Sequence, residues 1–224
     1  MKKENLLFNP KGSDELEDRQ LLGGNSTNLF NLNNVKYKWA NKIYQKMLED
    51  FWIPQKVDLS NDITDYKKLP SDEQRTYDGI LSFLVFLDSI QTNNLPNIAD
   101  YITAPEVKLA LMTQTFQEGL HSKSYAYLIE TAIPVSQRKK IYEFWKKDKV
   151  LFNRNKYIAS VYQDFIEESS EDQFARALIA DYLLEGVYFY NGFNFFYNLA
   201  ARNLMTGTKD MIKYIHRDEL QHCA

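Results

Sequence analysis

Two short segments, EGLHSKSY at 118–125 and DELQH at 218–222, repeat one pattern: a glutamate, two residues, then a histidine. The chain has 3 histidines in 224 residues, and two of them, His121 and His222, follow Glu118 and Glu219 in this way. On a helix, residues three apart share a face, one turn from each other. One such pair is ordinary, because solvated acid–histidine pairs are common on helix surfaces. Two pairs constrain far more when set beside Asp88 in LVFLDSIQ and Glu185 in YLLEGVYFYNGF. Each of those acids stands mid-run among large apolar residues. A carboxylate buried there is costly unless it is paired, hydrogen-bonded or bound to metal.

The rest of the chain reads as helix. It has 8 glycines and 6 prolines, too few to punctuate it often, and its 44% hydrophobic content can fill a sizeable core. Residues 1–33, with GSDELED and LLGGNSTN, carry charge and glycine without a sustained period and are expected to form an extended arm. Residues 34–224 are expected to form one helical domain. SDEQ (71–74) and TAPE (103–106) read as capping boxes, with Ser71 as a cap and Pro105 in a first turn. The first opens a helix through YDGILSFLVFLDSIQTNN, the second a helix through VKLALMTQTFQEGLHSKSYAYLIETAI. SEDQ (170–173) opens a long aromatic helix to about 205, which Gly207 is expected to end in a left-handed cap, with Thr208 starting the last helix. Shorter helices are predicted at 34–50, 135–147 and 155–168.

Several classes are disfavoured. A net charge of −3 leaves no basic footprint for nucleic acid. Cys223 is the one cysteine, so no internal disulfide forms, which fits a reducing compartment such as the cytoplasm. MKKENLLFNP lacks the apolar stretch of a signal peptide. The apolar segment 174–205 contains Arg176, Asp181, Glu185, Asn191, Asn194 and Asn198, which a membrane span tolerates poorly, so it is read as a helix buried in protein.

Two helices that each give one carboxylate and two that each give Glu-x-x-His form the ligand pattern of ferritin-like bundles holding two metal ions, with Asp88 in place of one glutamate. The expected fold is therefore all-α, a ferritin-like helical bundle with a dinuclear site in its core. Four carboxylates nearly neutralise two divalent cations, and oxygen ligands with two imidazoles suit iron or manganese. Without cations the same acids would repel and take up protons. Tyr125 lies four residues past His121, on the same face, where a phenol can serve as a one-electron donor. Phe189, Phe193 and Ile215 lie on the ligand-bearing faces and can build a dry pocket.

In order along the chain, FLDSIQ, FQEGLHSKSY, LLEGVYFY and HRDELQH resemble the small, radical-generating subunit of class I ribonucleotide reductase, and DFWIPQKVDLSND (50–62) is similar to that family's early tryptophan segment. The resemblance runs from about residue 30 to the end. It implies that Asp88, Glu118 and His121 bind one metal, that Glu185, Glu219 and His222 bind the other, and that Glu118 and Glu219 bridge them. It implies a radical on Tyr125, and Trp52 joined through Asp218 to His121 for radical transfer. It implies two iron ions per chain, with di-manganese or mixed manganese/iron as alternatives. It also implies a large catalytic subunit as partner, in which ribonucleotides are reduced, and a homodimer; an activating flavoprotein stays open. His216 matches no ligand and reads as an ordinary polar-facing residue. The family's chains are longer, with further helices and a docking tail, whereas this one stops two residues after His222; a fragment or split product is therefore expected. The competing readings are another ferritin-like metal oxidase, a metal-storage bundle and a metal-free helical bundle.

Overall fold

Two long helices form the frame. In the computed structural model, which describes residues 7–224, α1 spans Lys38–Glu49, α2 Asp62–Lys68, α3 Ser71–Tyr101 and α4 Pro105–Ala132. Residues 1–6 of the expected arm lie outside the described residues. Only residues 102–104 separate α3 from α4, and so short a connection makes them packed neighbours. After them come α5 (Val135–Lys147), α6 (Lys149–Glu167), α7 (Glu171–Leu183), a π-helical turn (Leu184–Tyr188), α8 (Phe189–Ala201) and α9 (Thr206–His222). The described residues contain no strand, only an isolated bridge between Leu22 and Ile102. No described helix is long and apolar enough to cross a membrane.

Helical spacing explains where the core sits. Tyr77, Leu81, Leu84 and Leu87, and further on Leu95 and Ile98, recur three or four residues apart on α3 and are fully buried. Asp88 and Gln91 fall on the same stripe and are equally buried. On α4 the buried stripe runs Ala110, Gln114, Glu118, His121, Tyr125, Leu128 and Ala132. Phe189, Phe193 and Phe196 on α8 and Met211, Ile212 and Ile215 on α9 complete it. Each fully buried side chain of this size contributes about 1.5–3 kcal/mol. The polar ligand-type residues are thus held in place by the apolar residues one turn away.

Several helix boundaries differ from the expectation. The helix over 71–94 continues through Pro96 to Tyr101. An interior proline costs about 3 kcal/mol, which burial of Leu95, Ile98 and Ala99 just around it offsets. Ser71 is a first-turn residue rather than a cap; Gln74 does reach back, donating to the carbonyls of Tyr66 and Leu69. In TAPE, Thr103 donates to Gln20 and Gly23 carbonyls, while Glu106 is taken by the arm. Arg19 donates to Glu106 Oε2 at 3.0 Å, and the Lys36 and Tyr37 backbone N–H groups donate to Oε1 at 2.8 and 2.9 Å. Ser170 caps α7 as its sequence suggests, accepting from the Gln173 N–H.

The long aromatic helix is broken twice, by the π turn and by residues 202–205, where Asn203 and Met205 adopt positive φ. Gly207 is inside α9, not a left-handed cap. It is needed for close approach: a Cβ there would stand 2.4 Å from the Asp58 carbonyl oxygen. Asp62 caps α9 instead, accepting from the N–H groups of Gly207 (3.0 Å) and Thr208 (2.6 Å).

Candidate metal centre

α3, α4, the π turn and α9 each turn acids or histidines towards one point. Two groups have ligand atoms within 4.8 Å of one another: Asp88, Glu118, His121 and Glu219, and then Glu118, Glu185, Glu219 and His222. Glu118 and Glu219 belong to both, the position a bridging carboxylate needs. Both histidines present Nδ1 to the cluster. His121 Nδ1 lies 3.5 Å from Asp88, 3.1 Å from Glu219 and 3.8 Å from Glu118. His222 Nδ1 lies 3.0 Å from Glu118, 3.6 Å from Glu185 and 2.7 Å from Glu219.

The outer nitrogens are held by other residues. His121 Nε2 is 3.1 Å from Asp218 Oδ2, and His222 Nε2 is 3.0 Å from Gln117 Oε1. When each Nε2–H donates outward, each Nδ1 keeps its lone pair for an ion. The inner atoms fit that role. Both oxygens of Asp88, Glu118 and Glu219, Glu185 Oε2 and the two Nδ1 atoms are buried without a hydrogen bond. Buried polar atoms are almost always satisfied, and a set of bare oxygens around two imidazole nitrogens is a donor set for hard divalent cations.

Electrostatics point the same way. Burial pushes the Asp88 and Glu185 carboxyls well above the carboxylate range, and the neighbouring acids add to it. Burial opposes charge on His121 and His222, but Glu219 and the other carboxylates outweigh it and raise both. Burial likewise opposes ionisation of Glu219, and the two histidines overcome it and hold its carboxyl low. Protons shared in this way occupy the place that positive ions can take.

Tyr125 is fully buried, and its hydroxyl makes no hydrogen bond. Burial first, and then the charges of Asp88, Glu219 and Glu118, push its phenol well above the ordinary value. On the other side, Trp52 Nε1 donates to Asp218 Oδ2 at 2.7 Å, the same oxygen that meets His121. Trp52 is 7% exposed and stacks on Tyr214, 5.1 Å between ring centres, beside a surface groove. Phe189, Phe193 and Ile215 are fully buried. His216 is not simply polar-facing: it packs against Tyr190 and Phe193 and hydrogen-bonds the Tyr197 hydroxyl at 2.9 Å.

Sequence reasoning missed the supporting amides. Gln91 donates to Glu185 and Asp181, Gln114 donates to Glu185, and Gln117 meets His222. A signal was available for all four of these residues: Gln91 lies three residues after Asp88, Gln114 four before Glu118, Gln117 four before His121, and Asp181 four before Glu185. Polar residues one turn from a ligand share its face.

Comparison with known proteins points to one family. Residues 29–224 match the family model described as ribonucleotide reductase, small chain. The chain is 49% identical over 216 residues to the ribonucleoside-diphosphate reductase subunit beta of Treponema pallidum (strain Nichols), covering 96% of this chain and 62% of that protein. It is 43% identical to the subunit of the same description from Aquifex aeolicus (strain VF5), covering 96% of this chain and 31% of that one. Among solved structures, the ribonucleotide reductase R2 subunit from Clostridium botulinum superposes with a TM-score of 0.93 at 46% identity, over 97% of this chain and 68% of that one. The chain thus spans less than two thirds of the length of these two curated relatives.

Proposed function

This chain belongs to the ribonucleotide reductase small-chain family, and from that premise we propose that it is the radical-generating part of class I ribonucleoside-diphosphate reductase. Residues 34–224 act as its ferritin-like domain and residues 1–33 as its N-terminal arm, fastened to the domain at Arg19. Asp88, Glu118 and His121 would hold one iron ion, Glu185, Glu219 and His222 would hold the second, and Glu118 and Glu219, which belong to both groups, would be shared between them. A bound iron pair would supply Lewis acidity and two of the electrons that dioxygen takes up.

The protein's own residues set the rest. The helix faces exclude water from the ligands, and Phe189, Phe193 and Ile215 keep the surroundings apolar. Tyr125 gives up one electron. Its phenol is held protonated, so a proton must leave with that electron, and the Asp88 carboxylate beside it would be the acceptor. The stored oxidising equivalent passes outward through Asp218 and Trp52 to a large catalytic subunit, where ribonucleotides become deoxyribonucleotides. A second copy of the chain completes a homodimer, the need for an activating flavoprotein is left open, and the work is done in the cytoplasm without nucleic acid or membrane.

One observation carries the reading: a buried hydrogen-bonded line runs from His121, at the cluster, through Asp218 to the indole of Trp52. A metal-storage bundle has no use for such a line. The test is EPR after loading the metal-free protein with iron(II) and admitting dioxygen. A persistent tyrosyl signal is expected, with about two iron ions bound per chain, and Tyr125→Phe should abolish it. The same signal in Tyr125→Phe, or none in the loaded wild type, refutes the assignment.

A further inference from the structure

The cluster contains one buried network to which no task has yet been given. Tyr162, on α6, is 2% exposed, and its hydroxyl donates to Gln91 Oε1 at 2.7 Å. Gln91, fully buried on α3, directs its amide nitrogen at Asp181 Oδ1 and Glu185 Oε1, each 2.5 Å away. Gln114 Nε2 approaches the same Glu185 oxygen at 3.3 Å. Glu185 is therefore gripped at Oε1 by two amides, while Oε2 makes no hydrogen bond and looks towards His222. The corresponding acid of the other group, Asp88, is held at neither oxygen.

An amide has two unlike ends. Turned over, Gln91 would set its oxygen against two carboxylates. The observed orientation needs an O–H or N–H donor for that buried oxygen, and Tyr162 supplies it. We propose that Tyr162, acting through Gln91, is a positioning residue that holds Glu185 as a one-oxygen donor to the second ion, an inference that rests on the dinuclear-metal reading above. The two subsites are then unlike by construction: one acid is pre-set, the other free to use both oxygens.

Titrating the metal-free protein with manganese(II), with free ion counted from its EPR signal, tests this. Wild type should take up two ions per chain. Tyr162→Phe should weaken one of the two about 10- to 100-fold, as loss of a partner behind a ligand generally does, and leave the other unchanged. Gln91→Leu should reproduce that loss, and the double variant should lose little more, because both changes cut one line. If Tyr162→Phe loses its helical circular dichroism, Gln91→Leu carries the test. Tyr66→Phe is the control: it removes another buried hydroxyl, bonded to Asp78 and Gln137, and should move neither affinity. Unchanged or equally weakened affinities in Tyr162→Phe, or the same selective loss in Tyr66→Phe, overturn the inference. A wild type that binds no manganese overturns the metal reading itself, and this inference with it.

Discussion

Replacing Arg19 with methionine should unfasten the arm from the bundle. Arg19 and Glu106 are buried, with side chains 5% and 1% exposed and 3.0 Å apart. The guanidinium also donates to the Asn34 and Asn31 carbonyls at 2.9 and 3.3 Å. Methionine keeps most of the apolar stem but leaves the Glu106 carboxylate with only the Lys36 and Tyr37 N–H groups. Breaking a buried pair by removing one partner costs about 3–5 kcal/mol. In a chain of this size each kcal/mol is worth roughly 2–4 °C of melting temperature, so Arg19→Met should melt about 6–20 °C below wild type. Thermal circular dichroism on metal-free protein reads this without interference from ion binding. Glu106→Gln keeps an oxygen for the two N–H groups but strands the guanidinium, so it should also destabilise. The double variant should cost less than the sum by roughly 1–3 kcal/mol, because the two changes remove one shared interaction. An Arg19→Met melt that overlays the wild type, or strictly additive losses, would show that the arm is not held by this pair. The consequence reaches the cluster, since Glu106 sits in the first turn of the helix that carries Glu118, His121 and Tyr125.

Two further outcomes follow from the same geometry. Trp52→Phe removes the indole N–H that meets Asp218; it should leave the Tyr125 EPR signal in place and abolish turnover with the large subunit, and full turnover would remove Trp52 from the transfer route. His216 is held below its ordinary value by burial, with Glu219 pulling the other way. The unfolded chain therefore binds the proton first, so the stability due to neutral His216 is present above about pH 6.5 and is lost as the pH falls through it. The melting temperature of wild type relative to His216→Gln should drop between pH 8 and pH 5; a constant difference would contradict this.

The convergence of these acids and histidines could be read from the sequence because each lies three or four residues from an apolar neighbour or from another of the group, and that spacing alone decides which side of a helix faces inward. The same rule failed where the partner was distant. TAPE satisfies the local pattern for a capping box, yet Glu106 is claimed by Arg19, 87 residues away, and a charged donor in a buried place outcompetes a local one. The aromatic stretch after Ser170 shows an unbroken period, and nothing in LEGVY signals that the chain widens into a π turn there. Tyr162 is one of 15 tyrosines, 71 residues from the glutamine it steadies, so no local spacing could single it out. Spacing tells which residues converge, but not which oxygen of a carboxylate is left bare. That depends on amides contributed by other helices: Glu185 is held at one oxygen from α3 and α4, and Asp88 at none. Two acids that look interchangeable in the sequence are thus held differently in the fold, and the difference lies in amides outside the two acid–histidine groups.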